Sequence, residues 1–459
     1  MHFGDIPTVE TQRSTDFNEN TAQRMPYVGD ILEYQPDVMI KIGYTLDLDE
    51  DLYLKDHTLI HASEVRNISS CLPVLPMTFG LEMMGEAAAC LAPGLGLIGF
   101  KNVTASNWVG LEDITTLPIT LSARFQEDNS MQMSRKIKVE LFKKGYDFPA
   151  MRCDVIFGKK YLLSVSLIFS ELVTPQPLPI SVEQLYSERF LFHGPLLQCI
   201  SKIHAVGKNG LIAEVKLFKT DNLFRSTDTP ELLTHPSFMD GLAQLMVAWF
   251  IDKEFNALPI GIDNIELYCP IPKLDQDLAV YLQISEQKYK TISVNLEIHD
   301  GKENVWMRIE NWKYVIFRHC ESMSNFLRLP EVFFASTKLP DSSENTITFE
   351  ISKSILRDIN IEWLARTILH KEELSIFKNI KENSPEIQDW LLQRLVAKDA
   401  ARHWIITKTS HSMIHPASFA LSTKKEKTFS ITHIPDQTTT PTVVTKILKN
   451  SIIAIAQRE

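Results

Sequence analysis

The pattern of apolar and polar positions predicts a helix wrapped by strands in the first part of the chain. Between Tyr27 and Leu48, the alternation in DILEYQ and VMIKIGYTLDL predicts two strands. The segment MTFGLEMMGEAAACLA follows Pro76 and repeats apolar residues at helical spacing, which predicts a long buried helix. Alternating segments after Gly99 predict further strands. We therefore expect a curved antiparallel sheet around one apolar helix.

The same order of elements recurs after TPQPLPI, Thr174–Ile180, whose prolines indicate a linker. Predicted strands at IHAVGK and LIAEVKLFK precede the apolar helix HPSFMDGLAQLMVAWFIDK, and further strands follow it. One such unit could hardly cover both faces of its own sheet and helix. We therefore expect a tandem pair whose two sheets join edge to edge.

Beyond STKLPDSSEN the pattern changes to helices that are followed by a short strand-like tail. The chain is thus predicted to contain five segments: a mobile N-terminal arm at 1–25, a first helix-and-sheet unit at 26–173, a linker with the second unit at 174–335, a linker at 336–345, and a smaller α+β domain at 346–459.

Composition and charge narrow the classes of function. Hydrophobic residues make up 44% and charged residues 23%, as in a globular protein. The apolar runs are too short to cross a bilayer and no signal peptide is visible, so we expect a cytoplasmic protein without a membrane span. The net charge of −10 argues against nucleic-acid binding, and six cysteines without a CxxC pair argue against a zinc site or a disulfide framework.

The charge is unevenly distributed along the chain. Residues 346–459 contain sixteen Lys+Arg and twelve Asp+Glu, a net of +4, which leaves −14 for residues 1–345. The last quarter is therefore a candidate docking surface for an acidic partner, with a solvated surface of mixed charge as the alternative.

Four residues are the first candidates for chemistry. His57 precedes the first apolar helix, where a desolvated imidazole can act as a base. Asp240 and Gln244 are four residues apart and project from one face of the second helix, where an unpaired buried carboxyl would stay protonated. The N–H of Gly194, in HGPLLQ, could serve as an oxyanion donor. Structural roles stay open: a hydrogen-bonded histidine, a capping or salt-bridged aspartate and a Gly-Pro turn.

Three motifs in this order resemble the dehydratase domains of modular polyketide and polyunsaturated fatty acid synthases. They are DHTL with LPVLPMTFGLEMMGEAAACLAPG, then RFLFHGPLLQ, then HPSFMDGLAQ. The resemblance covers roughly Pro26–Arg318 and implies a double hotdog fold. It also implies that His57 and Asp240 flank an acyl thioester, with Gln244 at the family's Gln or His position one turn after the aspartate.

The resemblance implies dehydration of carrier-bound β-hydroxyacyl thioesters. His57 would remove the α-proton, Asp240 would donate to the leaving hydroxyl, and the Gly194 N–H would polarise the thioester carbonyl, without a metal or redox cofactor. The partner would be an acyl carrier protein bearing phosphopantetheine-linked acyl chains, with other synthase subunits as further candidates. The alternative is an inactive module that binds acyl carriers or acts as a scaffold.

The chain departs from the family pattern at two places. The segment ASEVRNISSC delays the motif's proline to Pro73 or Pro76, and one expectation is that this insertion forms the mouth of the substrate tunnel. The tyrosine often found before Gly-Pro in the family is His193 here.

The C-terminal quarter resembles phosphopantetheinyl transferases of the short holo-acyl-carrier-protein synthase type. The resemblance rests on Lys398-Asp399-Ala400 and on Ser430-Ile-Thr-His433. It implies coenzyme A binding at Lys398, a Mg²⁺ ligand in Asp399, and a domain that either primes or docks the carrier. The alternative is an amphipathic helix on which Lys398, Asp399 and Arg402 are exposed.

Overall fold

A computed structural model describes the chain in two compact units. The first unit consists of 25–58 together with Leu72–Ile316, and the second consists of Leu59–Cys71 together with Phe317 onward. The described residues are 25–126, 134–163, 169–251, 255–300, 304–318, 320–340, 345–357, 359–380, 385–408, 413–425, 427–433 and 440–458. The predicted mobile arm therefore lies outside the described residues, apart from Met25.

The first half of the first unit is an antiparallel sheet with one helix. The elements are β1 Asp30–Gln35, β2 Met39–Asp47, α1 Met77–Ala89, β3 Gly96–Ala105, β4 Thr116–Gln126, β5 Ser134–Lys143 and β6 Met151–Gly158, with short 3₁₀ turns at Leu52–Asp56 and Ile68–Cys71. Every residue of α1 is buried, so its apolar sequence has no solvent-facing side. This arrangement confirms the helix that the spacing after Pro76 predicts.

The second half repeats this order. Its elements are α2 Val182–Ser187, β7 Ile200–Gly207, β8 Gly210–Leu217, α3 Pro236–Phe250, β9 Phe255–Leu267, β10 Gln276–Gln287, β11 Thr291–His299 and β12 Val305–Arg318, with a 3₁₀ turn at Pro195–Leu197. Two strands thus precede the apolar helix and four follow it, as in the first half. The predicted tandem of two helix-wrapped antiparallel sheets is confirmed.

The two halves form one sheet of twelve strands within the described residues. The strand order is β1-β2-β4-β5-β6-β3-β9-β12-β11-β10-β8-β7, so corresponding strands occupy equivalent places on either side of the β3–β9 pair. At this junction Gly99 faces the Ile265 carbonyl, which would lie 2.1 Å from an added Cβ. Gly261 faces the Val103 carbonyl in the same way. The missing side chains allow the two central strands to pair closely.

A second connection between the halves involves the apolar helices. α1 and α3 contact each other, and Glu82 on α1 is fully buried. Its carboxylate accepts hydrogen bonds from the backbone N–H groups of Leu233 (2.6 Å) and Thr234 (2.7 Å) and from the Thr234 hydroxyl. These bonds fix the backbone just before α3, because an unpaired carboxylate would be costly to bury there.

The second unit is a smaller α+β structure. Its elements are α4 Glu321–Arg328, β13 Thr337–Lys338, β14 Thr346–Ser352, α5 Ile361–Ile368, α6 Lys371–Asn379, α7 Pro385–Lys408, β15 Ala420–Lys425, β16 Thr428–Thr432, β17 Thr442–Ile447 and β18 Ser451–Gln457. The strands form an antiparallel sheet in the order β13-β14-β18-β17-β16-β15, and α7 packs on β14, β17 and β18. In the part of the chain that the structure describes, no helix is long and apolar enough to span a membrane.

The segment Leu59–Cys71, which contains the insertion ASEVRNISSC, belongs to the second unit. Within this unit, His61 Nε2 lies 3.3 Å from a Glu331 carboxylate oxygen, and the His61 carbonyl accepts a hydrogen bond from His415 (2.8 Å). Arg66 donates a hydrogen bond to the Leu369 carbonyl. The insertion is therefore held by residues that follow it by about 270 to 350 positions, which local sequence patterns do not reveal.

The boundary between the units also differs from the prediction. The predicted linker at 336–345 does not mark the boundary between the two units, because the second unit resumes at Phe317. The reason is that Met323 and Phe326 on α4, together with Ala335, are buried in the core of the second unit.

The glycine at the sheet junction provides a test of this architecture. Gly99→Ala is expected to reduce the free energy of unfolding by about 2–3 kcal/mol, because the new methyl group cannot fit against the Ile265 carbonyl. Gly43→Ala on β2 is the matched control, since its Cβ would meet the Leu32 side chain at 3.5 Å. Calorimetric unfolding should separate the two variants. Equal stabilities would contradict the close β3–β9 approach.

Candidate functional site

His57 is held as a neutral imidazole by its surroundings. It follows the 3₁₀ turn Leu52–Asp56, and its Nδ1 lies 2.7 Å from the Val74 carbonyl oxygen. A carbonyl can only accept, so Nδ1 carries the proton and Nε2 keeps its lone pair. Burial lowers the pKa of His57 to about 4, and the bond to Val74 opposes this change. At neutral pH the side chain is therefore an uncharged base.

Asp240 is placed by the first turns of α3. His235 caps this helix by accepting a hydrogen bond from the Phe238 N–H (3.2 Å), and Pro236 occupies the first helical position. The capping role considered for Asp240 is thus performed by His235. The Asp240 side chain is buried, and burial raises the pKa of its carboxyl group to about 7.

Gln244 lies one turn after Asp240, as predicted from their spacing, and it is fully hydrogen-bonded. Its Nε2 donates to Asp240 Oδ2 and to the Leu197 carbonyl, each at 2.8 Å. Its Oε1 accepts from the Tyr186 hydroxyl at 2.8 Å, and that hydroxyl accepts from the Ile200 N–H at 3.2 Å. These bonds fix the orientation of the amide, and the amide in turn restrains the Asp240 carboxyl.

The structure brings His57 and Asp240 together with a third residue, His193. One ligating atom from each of the three side chains lies within 4.8 Å of those of the other two. His193 Nε2 is 3.3 Å from Asp240 Oδ2, and its ring centroid is 5.2 Å from that of His57. Two imidazoles and a carboxylate are also a donor set that transition metals accept.

His193 is the site residue that the sequence interpretation misses. The sequence presents it only as a substitution for the tyrosine often found before Gly-Pro. A histidine next to that turn, in a chain with a suspected His–Asp pair, is the available signal.

Gly194 does not fit the predicted role of oxyanion donor. Its N–H donates to the Asp56 carbonyl at 2.8 Å, so it is not directed at a ligand. A Cβ at this position would meet the Asp56 carboxylate at 2.3 Å. The same carboxylate accepts a hydrogen bond from the Leu196 N–H at 2.7 Å. The glycine is thus required for the close contact by which Asp56, in the first half, anchors the HGPLLQ turn of the second.

Lys398 does not fit the predicted coenzyme A site. The side chain is fully buried, and its ammonium group lies 2.6 Å from Glu373 Oε2 and donates to the carbonyls of Pro416 (2.8 Å) and Phe419 (2.6 Å). Three acceptors use all three of its N–H donors. No donor is left for a phosphate.

Asp399 likewise does not fit a Mg²⁺ ligand. It is fully buried, and its Oδ2 accepts from the N–H groups of Ala335 and Ser336 and from the Ser336 hydroxyl, at 2.6–3.0 Å. Its Oδ1 lies 3.1 Å from Arg402 Nη1. A hard cation would have to displace these donors. The alternative of an exposed amphipathic helix is also wrong, because Lys398, Asp399 and Arg402 are all fully buried.

The second predicted motif of the C-terminal unit lies elsewhere on its surface. Ser430 is on β16, and the half-exposed His433 lies 3.1 Å from Glu372 and stacks on His370 with ring centroids 4.7 Å apart. The side chains of His370, Glu372 and His433 form another group of potential metal ligands. The His370 Nδ1 already accepts the Glu372 N–H at 3.5 Å, which places the imidazole proton on its Nε2.

Comparison with protein families matches one segment of the chain, most of which lies in the first unit. Residues 169–321 match the model of the polyketide synthase dehydratase N-terminal domain. The match contains His193, Asp240 and Gln244 but not His57. A curated relative from Thraustochytrium sp., one of the subunits of a polyunsaturated fatty acid synthase, is 24% identical over 219 residues. The alignment covers 46% of this chain and 7% of that protein, so the chain spans a small part of its relative's length.

Solved structures of dehydratase domains resemble a larger share of this chain. A trans-AT PKS dehydratase domain from Brevibacillus brevis is 16% identical, with a TM-score of 0.48, and covers 64% of this chain and 99% of that one. The dehydratase domain from the CurF module of the curacin polyketide synthase is 16% identical, with a TM-score of 0.47. The match covers 63% of this chain and 99% of that domain. By the family match, the chain contains a region similar to polyketide synthase dehydratase domains.

The buried charges of α7 provide a test of their structural role. Asp399→Ala is expected to destabilise the second unit by about 3–5 kcal/mol, because it leaves Arg402 buried without a carboxylate. Glu386→Ala, at an exposed position on the same helix, is the control and should have an effect below about 0.5 kcal/mol. Thermal unfolding of the full chain would measure both. An Asp399 variant as stable as the control would contradict this role.

Proposed function

We propose that this chain is a dehydratase that removes water from β-hydroxyacyl thioesters carried by an acyl carrier protein. The observation that carries the proposal is the juxtaposition of a neutral base and a neutral acid. His57 comes from the first half of the first unit and Asp240 from the second half, and ligating atoms of both side chains lie within 4.8 Å of each other. The match of residues 169–321 to dehydratase domains supports the same reaction.

The protonation states suit a β-elimination. His57 Nε2 takes the proton from the α-carbon, and the electrons of that C–H bond form the Cα=Cβ double bond. The C–O bond at the β-carbon breaks, and the departing hydroxyl takes the carboxyl proton of Asp240 to leave as water. The product is an enoyl thioester, with His57 protonated and Asp240 ionised. Transfer of one proton from the imidazolium to the carboxylate, through solvent, restores the starting state.

Burial explains why both groups start uncharged. Desolvation disfavours the charged form of any side chain, so it lowers the pKa of His57 and raises that of Asp240. The same environment therefore prepares a base and an acid at the same pH. The mutual spacing leaves both groups within reach of the two adjacent carbons of one substrate.

The substrate would be delivered by an acyl carrier protein. A thioester substrate implies a phosphopantetheine arm, and the carrier is commonly acidic, which suits the excess of basic residues in 346–459. Such a dehydration would be a step in polyketide or polyunsaturated fatty acid biosynthesis. The priming activity implied by the transferase resemblance is not proposed, because Lys398 and Asp399 are saturated by protein groups.

Removal of either group should slow turnover strongly. His57→Ala and Asp240→Asn are each expected to slow dehydration of a 3-hydroxybutyryl carrier or pantetheine thioester by roughly 10²–10⁴-fold. Mass spectrometry of the enoyl product measures the rate. The exposed His204→Ala and Asp277→Asn serve as matched controls and should retain the wild-type rate. Binding of the acyl carrier without any enoyl product in the wild type would instead favour the inactive carrier-binding module.

The pH dependence of dehydration follows from the shifted pKa values of His57 and Asp240. Activity requires His57 to be unprotonated, which holds above its pKa of about 4, and Asp240 to be protonated, which holds below its pKa of about 7. A plot of kcat/KM against pH should therefore be bell-shaped, with limbs near these two values. A rate that keeps rising well above pH 8 would contradict Asp240 as the acid.

A further inference from the structure

The two oxygens of Asp240 have different surroundings. Oδ2 accepts the hydrogen bond from Gln244 Nε2 at 2.8 Å, and His193 Nε2 lies 3.3 Å from the same oxygen. No contact of Oδ1 with a hydrogen-bond donor is found among the described residues. The carboxyl group is therefore asymmetric, with two nitrogen atoms beside one oxygen and the other oxygen left for a reacting group.

The position of the imidazole proton of His193 follows from its other nitrogen. His193 Nδ1 is buried and has no hydrogen-bond partner within the described parts of the chain. A proton on Nδ1 would leave an N–H buried without an acceptor, whereas a bare lone pair there is less costly. The favoured tautomer thus carries its proton on Nε2, which faces Asp240 Oδ2.

The ring of His193 is held in place by its aromatic neighbours. Phe192 stacks on His193 with centroids 4.2 Å apart and an angle of 20° between the rings. Phe192 also meets His57 edge to face, with centroids 5.0 Å apart. Both histidines are buried, so neither ring can turn freely towards solvent. The approach of Nε2 to Asp240 is consequently a fixed feature of the site.

On these grounds we propose that His193 is a positioning residue for the acid of the site. Together with Gln244 it keeps Oδ2 of Asp240 as an acceptor, so that the acidic proton resides on Oδ1, the oxygen that delivers it to the departing hydroxyl. This inference rests on the proposed dehydration. It assigns a role to the histidine that replaces the tyrosine often found before Gly-Pro.

The other titratable groups near Asp240 do not titrate in the same pH range as its carboxyl group. Tyr186, Cys199 and Tyr314 face the carboxylate, and burial raises the pKa of each above its ordinary value. They stay neutral below pH 8. Burial is the main cause that holds the pKa of His193 well below its ordinary value, and the charged forms of His57 and Arg189 would act in the same direction. His193 is therefore neutral near pH 7 as well. Asp240 is thus the group that titrates near pH 7 in this cluster.

The test compares two substitutions of similar size. His193→Phe keeps a planar ring but removes the N–H, whereas His193→Gln places an amide N–H at about the reach of Nε2. Loss of the donor disfavours the ionised carboxyl, so the Phe variant should raise the pKa of Asp240 by roughly 0.5–1 unit. The Gln variant should restore the wild-type value.

Two measurements report the outcome. The first is ¹³C NMR titration of protein labelled at the aspartate carboxyl carbon, in which Asp240→Asn identifies the Asp240 signal. The second is the pH profile of dehydration. The Phe variant should lower kcat about 10-fold or more without raising KM, because proton delivery rather than binding is impaired. Its alkaline limb should move to higher pH with the NMR titration.

The outcomes separate this inference from the proposed function. Identical Asp240 titrations in wild type, His193→Phe and His193→Gln would overturn the positioning role. A shift in the Phe variant that Gln reverses, without enoyl product from the wild type, would support the positioning role and overturn the dehydration. His193→Met serves as a second variant without a donor, and circular dichroism confirms that each variant folds.

Discussion

The pairing of β3 with β9 is the contact on which the candidate site depends. It joins two half-sheets of the same order into twelve strands and allows α1 and α3 to contact each other. His57 belongs to the first half and Asp240 to the second, so neither half holds the acid and the base together. Two further contacts fix the register of the halves: Glu82 accepts three hydrogen bonds at the start of α3, and Asp56 anchors the Gly194 turn. The geometry of the site is thus a consequence of nonlocal pairing.

Burial of the polar groups in this site is compensated at specific atoms. The Val74 carbonyl accepts a hydrogen bond from His57 Nδ1, and Gln244 donates to Asp240 while its own oxygen accepts from Tyr186. These bonds restrain the side chains, but they do not restore the charged forms that burial disfavours. His193 is the exception, because its Nδ1 stays unpaired in the described structure. A buried polar atom without a partner is retained at a cost in stability, which is typical of residues kept for function.

The sequence predicts those features that local patterns encode. Periodicity and proline punctuation locate both apolar helices, and the spacing of four places Gln244 beside Asp240. Predictions about features that depend on distant contacts are incomplete or wrong. The burial of Lys398 and Asp399 depends on segments 18 or more positions away, whose polar groups form hydrogen bonds with both side chains. The direction of the Gly194 N–H depends on Asp56, and the insertion depends on residues hundreds of positions later.

The buried charges of α7 and the insertion are parts of one arrangement in the second unit. Arg402 donates to the carbonyls of Glu331 and Phe333, and Lys398 donates to those of Pro416 and Phe419, so the charges satisfy backbone groups of two irregular segments. The same two segments supply Glu331 and His415, which hold His61, the residue just before the insertion. The chain passes from the first unit to the second directly after Thr58 and returns at Leu72. An antiparallel β-bridge between Thr58 and Pro73 joins the two ends of this segment next to His57. The hydrogen bond that His57 donates to the Val74 carbonyl therefore lies within the first unit, so the base is oriented by residues of its own unit although Leu59–Cys71 belongs to the second.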